Sequence, residues 1–206
     1  MDYFNKDERE KQQAFAARRD RIFSPIINGL VALGATPNQV TGVGVAFLMV
    51  ACLLPNSLAV ASATCIALYV FCDGLDGPLA RRSGNAHPGG SLVDIVADQL
   101  GVVFLSAAAV HHLNAWGPAM VVFACSDLIF IGLVVYANAL EVKLRKFIRA
   151  KYIFFLLYLG SLSLSRDLVT YFCAGFSVYY SVEAFEALYR IYNHHSGKPG
   201  PQADPR

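Results

Sequence analysis

Six apolar segments separated by short polar turns dominate this sequence and restrict what it can fold into. They cover approximately residues 37–54, 57–81, 91–112, 117–142, 150–165 and 168–190. A helix needs about 20 residues to cross a hydrocarbon core about 30 Å thick. Because lipid offers no hydrogen bonds, the backbone of each span must form its own, as a helix does. The pattern predicts an all-α integral membrane protein with six transmembrane helices, the first and fifth of them short enough to need tilt or local thinning.

Composition supports a membrane location and argues against two kinds of site. Hydrophobic residues make up 55% of the chain and charged residues 16%, which is too little charge for a water-facing surface. The five cysteines lie inside apolar runs and form no CxxC pair. A disulfide framework or a zinc site is therefore not expected.

The two ends of the chain differ from its apolar middle. Residues 1–35 are charged and carry apolar residues at helical spacing, which predicts an amphipathic helix at the membrane interface or packed on protein. Thr36 is a good N-cap and Pro37 a good first helical residue. Residues 36–192 are predicted to form the membrane domain, and 193–206 a disordered tail.

The basic residues predict the orientation of the spans. With the N-terminus in the cytoplasm, every Lys and Arg except Arg166 lies before the first span or after the second, fourth or sixth. Cytoplasmic loops carry an excess of these residues. We therefore expect the N-terminus to face the cytoplasm. As a separate expectation, the membrane is a bacterial inner membrane.

Four aspartates lie in the second and third segments. Asp73 and Asp76 are three residues apart, and Asp94 and Asp98 are four apart, so each pair occupies one helical face. A carboxylate inside a span is costly and needs a partner or a task. Both pairs flank the predicted cytoplasmic turn, residues 82–90, so they are expected to face each other near the inner membrane surface.

Four carboxylates in one place repel one another unless cations lie among them. Oxygen ligands without His or Cys favour Mg²⁺, Mn²⁺ or Ca²⁺ over zinc. Two bridged ions would suit phosphoryl chemistry. The neighbouring Gly74 and Gly77 allow a ligand close to the backbone, and Arg81 supplies a cation for phosphate. A metal-ion transporter and a non-catalytic scaffold are the alternatives from other classes.

From Asp73 to Asp98 the sequence reads D-x2-D-G-x2-A-R-x8-G-x3-D-x3-D. This pattern closely resembles the signature of the CDP-alcohol phosphatidyltransferase family, and the likeness extends over about residues 36–190. It implies an enzyme that transfers a phosphatidyl group from a CDP-linked lipid, such as CDP-diacylglycerol, to an alcohol and releases CMP. Pro78 departs mildly from the pattern and predicts a bend before Arg81.

The resemblance also implies roles for individual residues. Those roles are metal binding for Asp73, Asp76, Asp94 and Asp98, and contact with the CDP moiety for Gly77, Ala80 and Arg81. Asp98 would in addition be the general base on the acceptor hydroxyl. Asn38 and Thr41 belong to a segment similar to the family's P-N-x-x-T, which implies nucleotide binding. The expected cofactors are two Mg²⁺ or Mn²⁺ ions, and the expected assembly is a homodimer among membrane lipids, with no nucleic-acid partner.

The acceptor is left open by the motif. A basic cluster after the fourth segment, comprising Lys143, Arg145, Lys146 and Arg149, suits an anionic acceptor such as glycerol 3-phosphate or an inositol phosphate, or else anchors the chain to anionic lipid. Serine, choline and free inositol are alternative acceptors, as is a CDP-alcohol donor with a diacylglycerol acceptor. Glu186 and Arg190 are spaced for an ion pair within one helix.

Overall fold

In a computed structural model, the chain is described at residues 6–164 and 166–197, with side chains from residue 19 onward. All regular structure in these ranges is helical. The helices are α1 (Lys6–Ala32), α2 (Pro37–Leu53), α3 (Ala59–Arg82), α4 (Pro88–Leu113), α5 (Gly117–Ala139), α6 (Lys151–Leu164) and α7 (Val169–His195), with a 3₁₀ turn at Asn56–Leu58. The bounds of α2 to α6 follow the predicted segments closely.

The start of α2 shows why sequence predicted it well. Thr36 caps the helix: its Oγ1 accepts from the Gln39 backbone N–H at 3.3 Å, and its own N–H donates to Gln39 Oε1 at 2.9 Å. This reciprocal capping box satisfies two backbone donors that would otherwise lack partners. Pro37 is the first helical residue, as predicted. The helix ends at Leu53, shortly before Pro55.

Three helices are long and apolar enough to cross a membrane, in agreement with an integral membrane protein. They are α3 with its preceding 3₁₀ turn, α4 and α5. The last part of α1 and α2 form a bent pair, at 107°, that counts as a fourth candidate when taken together. The 14 residues of α6 extend about 21 Å, less than a bilayer core of about 30 Å. The six predicted spans correspond to six helices, but their number across the membrane stays a prediction.

The chain divides into two compact units, with the boundary inside α4 between Phe104 and Leu105. In the N-terminal unit, α1 and α2 pack on α3 through buried Ile27, Val40, Leu75 and Leu79. Helix α1 also leaves apolar side chains exposed. These include Ile22, which is 64% exposed, and Leu33, which is 83% exposed. The helix therefore contacts protein on one side and offers an apolar surface on another, as an interfacial helix requires.

In the C-terminal unit, aromatic side chains join α5, α6 and α7. Phe123 of α5 makes an edge contact with Phe154 of α6, at 5.2 Å between ring centroids. Phe130 of α5 stacks on Tyr180 of α7 at 5.7 Å. All four rings are buried, so they form the centre of this unit.

Helix α7 ends later than predicted. It continues to His195, past the expected start of a disordered tail at residue 193. His195 is held by Tyr136, since the hydroxyl and the ring nitrogen Nε2 lie 3.1 Å apart and the rings stack. Residues 198–206 of the predicted tail lie outside the described residues. The predicted pair between Glu186 and Arg190 is confirmed at 2.7 Å.

A close approach of α2 to α3 yields a test of this packing. A Cβ at Gly44 would lie 2.9 Å from the Cβ of Cys72, whereas one at Gly42 would meet nothing within 4 Å. We predict that Gly44→Ala lowers the free energy of unfolding by about 1–3 kcal/mol because the helices must separate. Gly42→Ala should be neutral or stabilise by up to about 1 kcal/mol through helix propensity. Thermal unfolding of the detergent-solubilised variants measures both, and equal midpoints would contradict the packing.

Candidate active site

Three of the four aspartates converge within the N-terminal unit. Asp73 lies in the second half of α3, and Asp94 and Asp98 lie near the start of α4. One carboxylate oxygen from each can be chosen so that all three lie within 4.8 Å of one another. Each residue is partly buried. The short turn between the helices brings the acids together, and the four-residue spacing in α4 turns Asp94 and Asp98 to the same side.

This donor set fits a hard divalent cation. Ligand oxygens around one octahedral Mg²⁺ lie about 3–4 Å apart when its bonds are about 2.1 Å long. The observed grouping is only slightly wider, so small side-chain rotations would close it. Three carboxylates at this separation repel one another unless a cation or protons compensate. The described residues contain no other such cluster of metal-binding side chains.

Asp76 is placed differently from the other three. It is only 7% exposed and lies outside the converging group. Its Oδ2 accepts from the Thr41 hydroxyl at 2.7 Å, and its Oδ1 accepts from the Gly77 N–H at 2.6 Å. Each oxygen keeps a further lone pair, so the predicted metal role stays open. In this structure the side chain connects α3 to α2.

The segment predicted to bind nucleotide has two different environments. Thr41 is buried, and its hydroxyl lies between Asp76 and the carbonyl of Pro37, which is 3.1 Å away. Asn38, one turn earlier on α2, is exposed. Thr41 therefore acts on a site aspartate directly, a contact that the sequence pattern did not indicate. Nucleotide contact for either residue stays a prediction.

The end of α3 carries the rest of the signature. Despite Pro78, the helix continues to Arg82. Ala80 is partly buried, and Arg81 is exposed. Arg81 pairs with Asp20 of α1: Nε donates to Oδ2 at 3.0 Å and Nη2 to Oδ1 at 2.6 Å. Sequence reasoning missed Asp20, because no local pattern connects residues 61 positions apart.

The basic cluster predicted to hold an acceptor lies in the C-terminal unit, on the non-helical segment between α5 and α6. Arg145 pairs with Glu186 at 2.6 Å and with Glu183 at 3.2 Å, both on α7. Arg190 of α7 in turn donates to the carbonyl of Lys143 at 3.2 Å. The glutamates thus fix the segment and offset part of its positive charge.

Two further contacts hold the end of this segment. The Tyr180 hydroxyl accepts from the Ala150 N–H at 2.9 Å and donates to the Ile148 carbonyl at 3.1 Å. The Arg149 guanidinium lies 5.9 Å from the centroid of the Phe147 ring. Lys146 and Arg149 are exposed. Four basic side chains are therefore presented on a segment whose backbone α7 constrains.

Comparison with known proteins agrees with the geometry. The sequence profile of the CDP-alcohol phosphatidyltransferase family matches residues 34–182, well over half of the chain. That range contains all four aspartates.

Two individual relatives are both named phosphatidylinositol phosphate synthase. A phosphatidylinositol phosphate synthase of Cutibacterium acnes is 28% identical over 120 residues, which is 56% of this chain and 58% of that protein. A protein of the same name from Mycobacterium tuberculosis is 34% identical over 88 residues, or 41% of each chain. The matches thus span about half the length of these relatives.

A solved structure shows the same fold. The crystal structure of Mycobacterium tuberculosis phosphatidylinositol phosphate synthase with CDP-DAG bound aligns with a TM-score of 0.59. The alignment covers 90% of this chain and 98% of that one at 21% identity. At this identity the likeness concerns the fold.

The hydrogen bond between Thr41 and Asp76 generates a prediction. Thr41→Val keeps the side-chain shape and removes the hydroxyl, which leaves a buried carboxylate oxygen without this donor. We expect the free energy of unfolding to fall by about 1.5–3 kcal/mol, the usual value of a hydrogen bond to a charged group. Thr41→Ser, which keeps the hydroxyl, should lose much less. Thermal unfolding distinguishes them, and a Thr41→Val variant as stable as the wild type would show that the bond contributes nothing.

Proposed function

Because the chain belongs to the CDP-alcohol phosphatidyltransferase family, we propose that it transfers a phosphatidyl group from a CDP-linked lipid to an alcohol and releases CMP. The observation that carries this proposal is the convergence of Asp73, Asp94 and Asp98 in a family member. A transporter or a scaffold would give no reason for the glycines and Arg81 beside those acids. CDP-diacylglycerol is the proposed donor, since a protein of the same fold has been crystallised with CDP-DAG bound.

The chain's own residues have distinct parts in the proposed reaction. Asp98 takes the proton of the acceptor hydroxyl as general base. The acceptor oxygen then forms a bond to the phosphorus that bears the lipid, and the bond from that phosphorus to the CMP oxygen breaks. Arg81 binds the negative charge of the departing CMP. Gly77 and Ala80 leave room for the nucleotide.

The aspartates are the proposed ligands of two metal ions, either Mg²⁺ or Mn²⁺. Asp73, Asp94 and Asp98 form the core of the ligand set, and Asp76 would add to it with the lone pairs that Thr41 and Gly77 leave. When bound, such ions neutralise diphosphate charge and lower the pKa of a coordinated hydroxyl. This assistance matters because a carboxylate of ordinary pKa, about 4, is a weak base for an alcohol.

For the acceptor we propose a phosphorylated polyol, with inositol phosphate first and glycerol 3-phosphate second. The relatives named phosphatidylinositol phosphate synthase support this choice. The basic cluster of Lys143, Arg145, Lys146 and Arg149 is the candidate for binding the acceptor's phosphate. Arg145 contacts two glutamates, which offset part of its positive charge.

Orientation and assembly belong to the same proposal. The distribution of Lys and Arg supports an N-terminus and acids on the cytoplasmic side of the membrane, which we propose to be a bacterial inner membrane. A homodimer rests on the family resemblance alone.

The proposal is tested by CMP release from the purified, detergent-solubilised chain with Mg²⁺ or Mn²⁺. CDP-diacylglycerol is supplied with inositol phosphate, glycerol 3-phosphate, free inositol, serine or choline in separate reactions. We expect CMP release to be fastest with inositol phosphate, because its phosphate adds an ionic contact that free inositol lacks. The lipid product is identified by mass spectrometry.

Asp98→Asn is the matched variant for the mechanism. It should release CMP about 10²–10⁴-fold more slowly, the usual contribution of a general base. If the Asp98→Asn variant kept near-normal turnover while still binding metal, Asp98 would not be the general base. CMP release with none of these acceptors, and likewise none from a CDP-alcohol with diacylglycerol, would overturn the proposed function.

A further inference from the structure

Helix α1 brings a second arginine to the signature glycine of α3. A Cβ built at Gly77 would lie 3.1 Å from Nη2 of Arg19 and 3.6 Å from Nη1 of Arg81. The space left open by the absent side chain is therefore bordered by two guanidinium groups from different helices. Gly77 follows Asp73 by four residues, so this space lies on the face of α3 that carries the converging acid.

Asp20 determines which edge of Arg81 faces that space. Asp20 accepts from Nε and Nη2 of Arg81, which form one edge of its guanidinium. The remaining nitrogen of Arg81, Nη1, is the one that lies near Gly77. A two-bond fork of this kind defines orientation as well as contact. The pair is solvent-accessible, at 43% and 36% side-chain exposure, so its effect is chiefly on orientation rather than stability.

Arg19 is not placed like an ordinary surface arginine. Its Nε is buried, and among the described residues no group accepts a hydrogen bond from it. A buried donor without an acceptor is unfavourable, and so is a second positive charge close to Arg81. An anionic group over Gly77 would offer Arg19 an acceptor and reduce the repulsion between the two guanidinium groups.

We infer that Arg19 binds the diphosphate of the CDP-linked donor, together with Arg81, over the backbone of Gly77. This inference rests on the proposed function, which sets the CDP moiety against Gly77 and Arg81. It extends the donor site to α1, a helix outside the signature. Arg is suited to this task because its planar donors match phosphate oxygens.

The experiment measures nucleotide binding rather than turnover. CDP, a soluble probe that carries the diphosphate, is titrated calorimetrically into the full detergent-solubilised chain with Mn²⁺ present. Arg19→Gln should weaken CDP binding about 10- to 100-fold, the range for losing a hydrogen-bonded charge contact. Binding of cytidine, which lacks phosphate, should change less than about twofold.

Arg21→Gln is the control. Arg21 lies two residues further along α1, is exposed, and loses the same charge when substituted. The Arg21→Gln variant should bind CDP with the affinity of the wild type. Arg19→Lys keeps the charge and the apolar stem but not the fork, so an intermediate affinity is expected. This second variant keeps the test informative if Arg19→Gln unfolds, which circular dichroism and size exclusion would reveal.

Three results would overturn the inference. One is CDP binding by both Arg19 variants within about twofold of the wild type, and another is an equal loss in the Arg19 and Arg21 variants. The third uses dioctanoyl phosphatidate as a second probe: weakened phosphatidate binding with unchanged CDP binding would assign Arg19 to a lipid headgroup. In all three the proposed function stands. A wild-type chain that binds no CDP would overturn both.

Discussion

The main physical constraint on this site is the energetic cost of placing several carboxylates within apolar helices. Asp73, Asp94 and Asp98 approach within 4.8 Å, and at that separation they repel unless positive charge lies among them. Gly74 directly follows Asp73 on α3, and only a short turn separates α3 from α4. The buried carboxylate of Asp76 is instead stabilised by hydrogen bonds from the Thr41 hydroxyl and the Gly77 N–H. The acids are thus placed where a bound cation would stabilise the chain as well as serve its chemistry.

Sequence reasoning succeeded where a local rule decides the structure. The N-cap at Thr36, the helix bounds near prolines and the pair of Glu186 with Arg190 each follow from residues within one turn of a helix. The spacing of Asp94 and Asp98 predicted their shared face, and the short turn before α4 brings them to Asp73. Asp76, which was expected with them, lies outside this group. For these features the distance along the chain is small, so few arrangements compete.

Prediction from the sequence failed where a residue's partner lies on another helix. Neither the fork between Asp20 and Arg81 nor the approach of Arg19 to Gly77 has a periodic signal. The bond from Thr41 to Asp76 was not indicated either, because the α2–α3 packing decides which helix face Thr41 meets. Its nucleotide contact stays a prediction. The end of α7 was placed too early, since the contact of Tyr136 with His195 joins helices distant in sequence. Tertiary contacts of this kind need the packed structure.

The proposed chemistry requires that Asp73, Asp94 and Asp98 hold a divalent cation. Anomalous diffraction from crystals of the purified chain soaked in Mn²⁺ tests this binding without reference to any substrate. A manganese peak is expected about 2.0–2.3 Å from a carboxylate oxygen of each residue. Crystals saturated with Mn²⁺ that show no peak among these three side chains would contradict it.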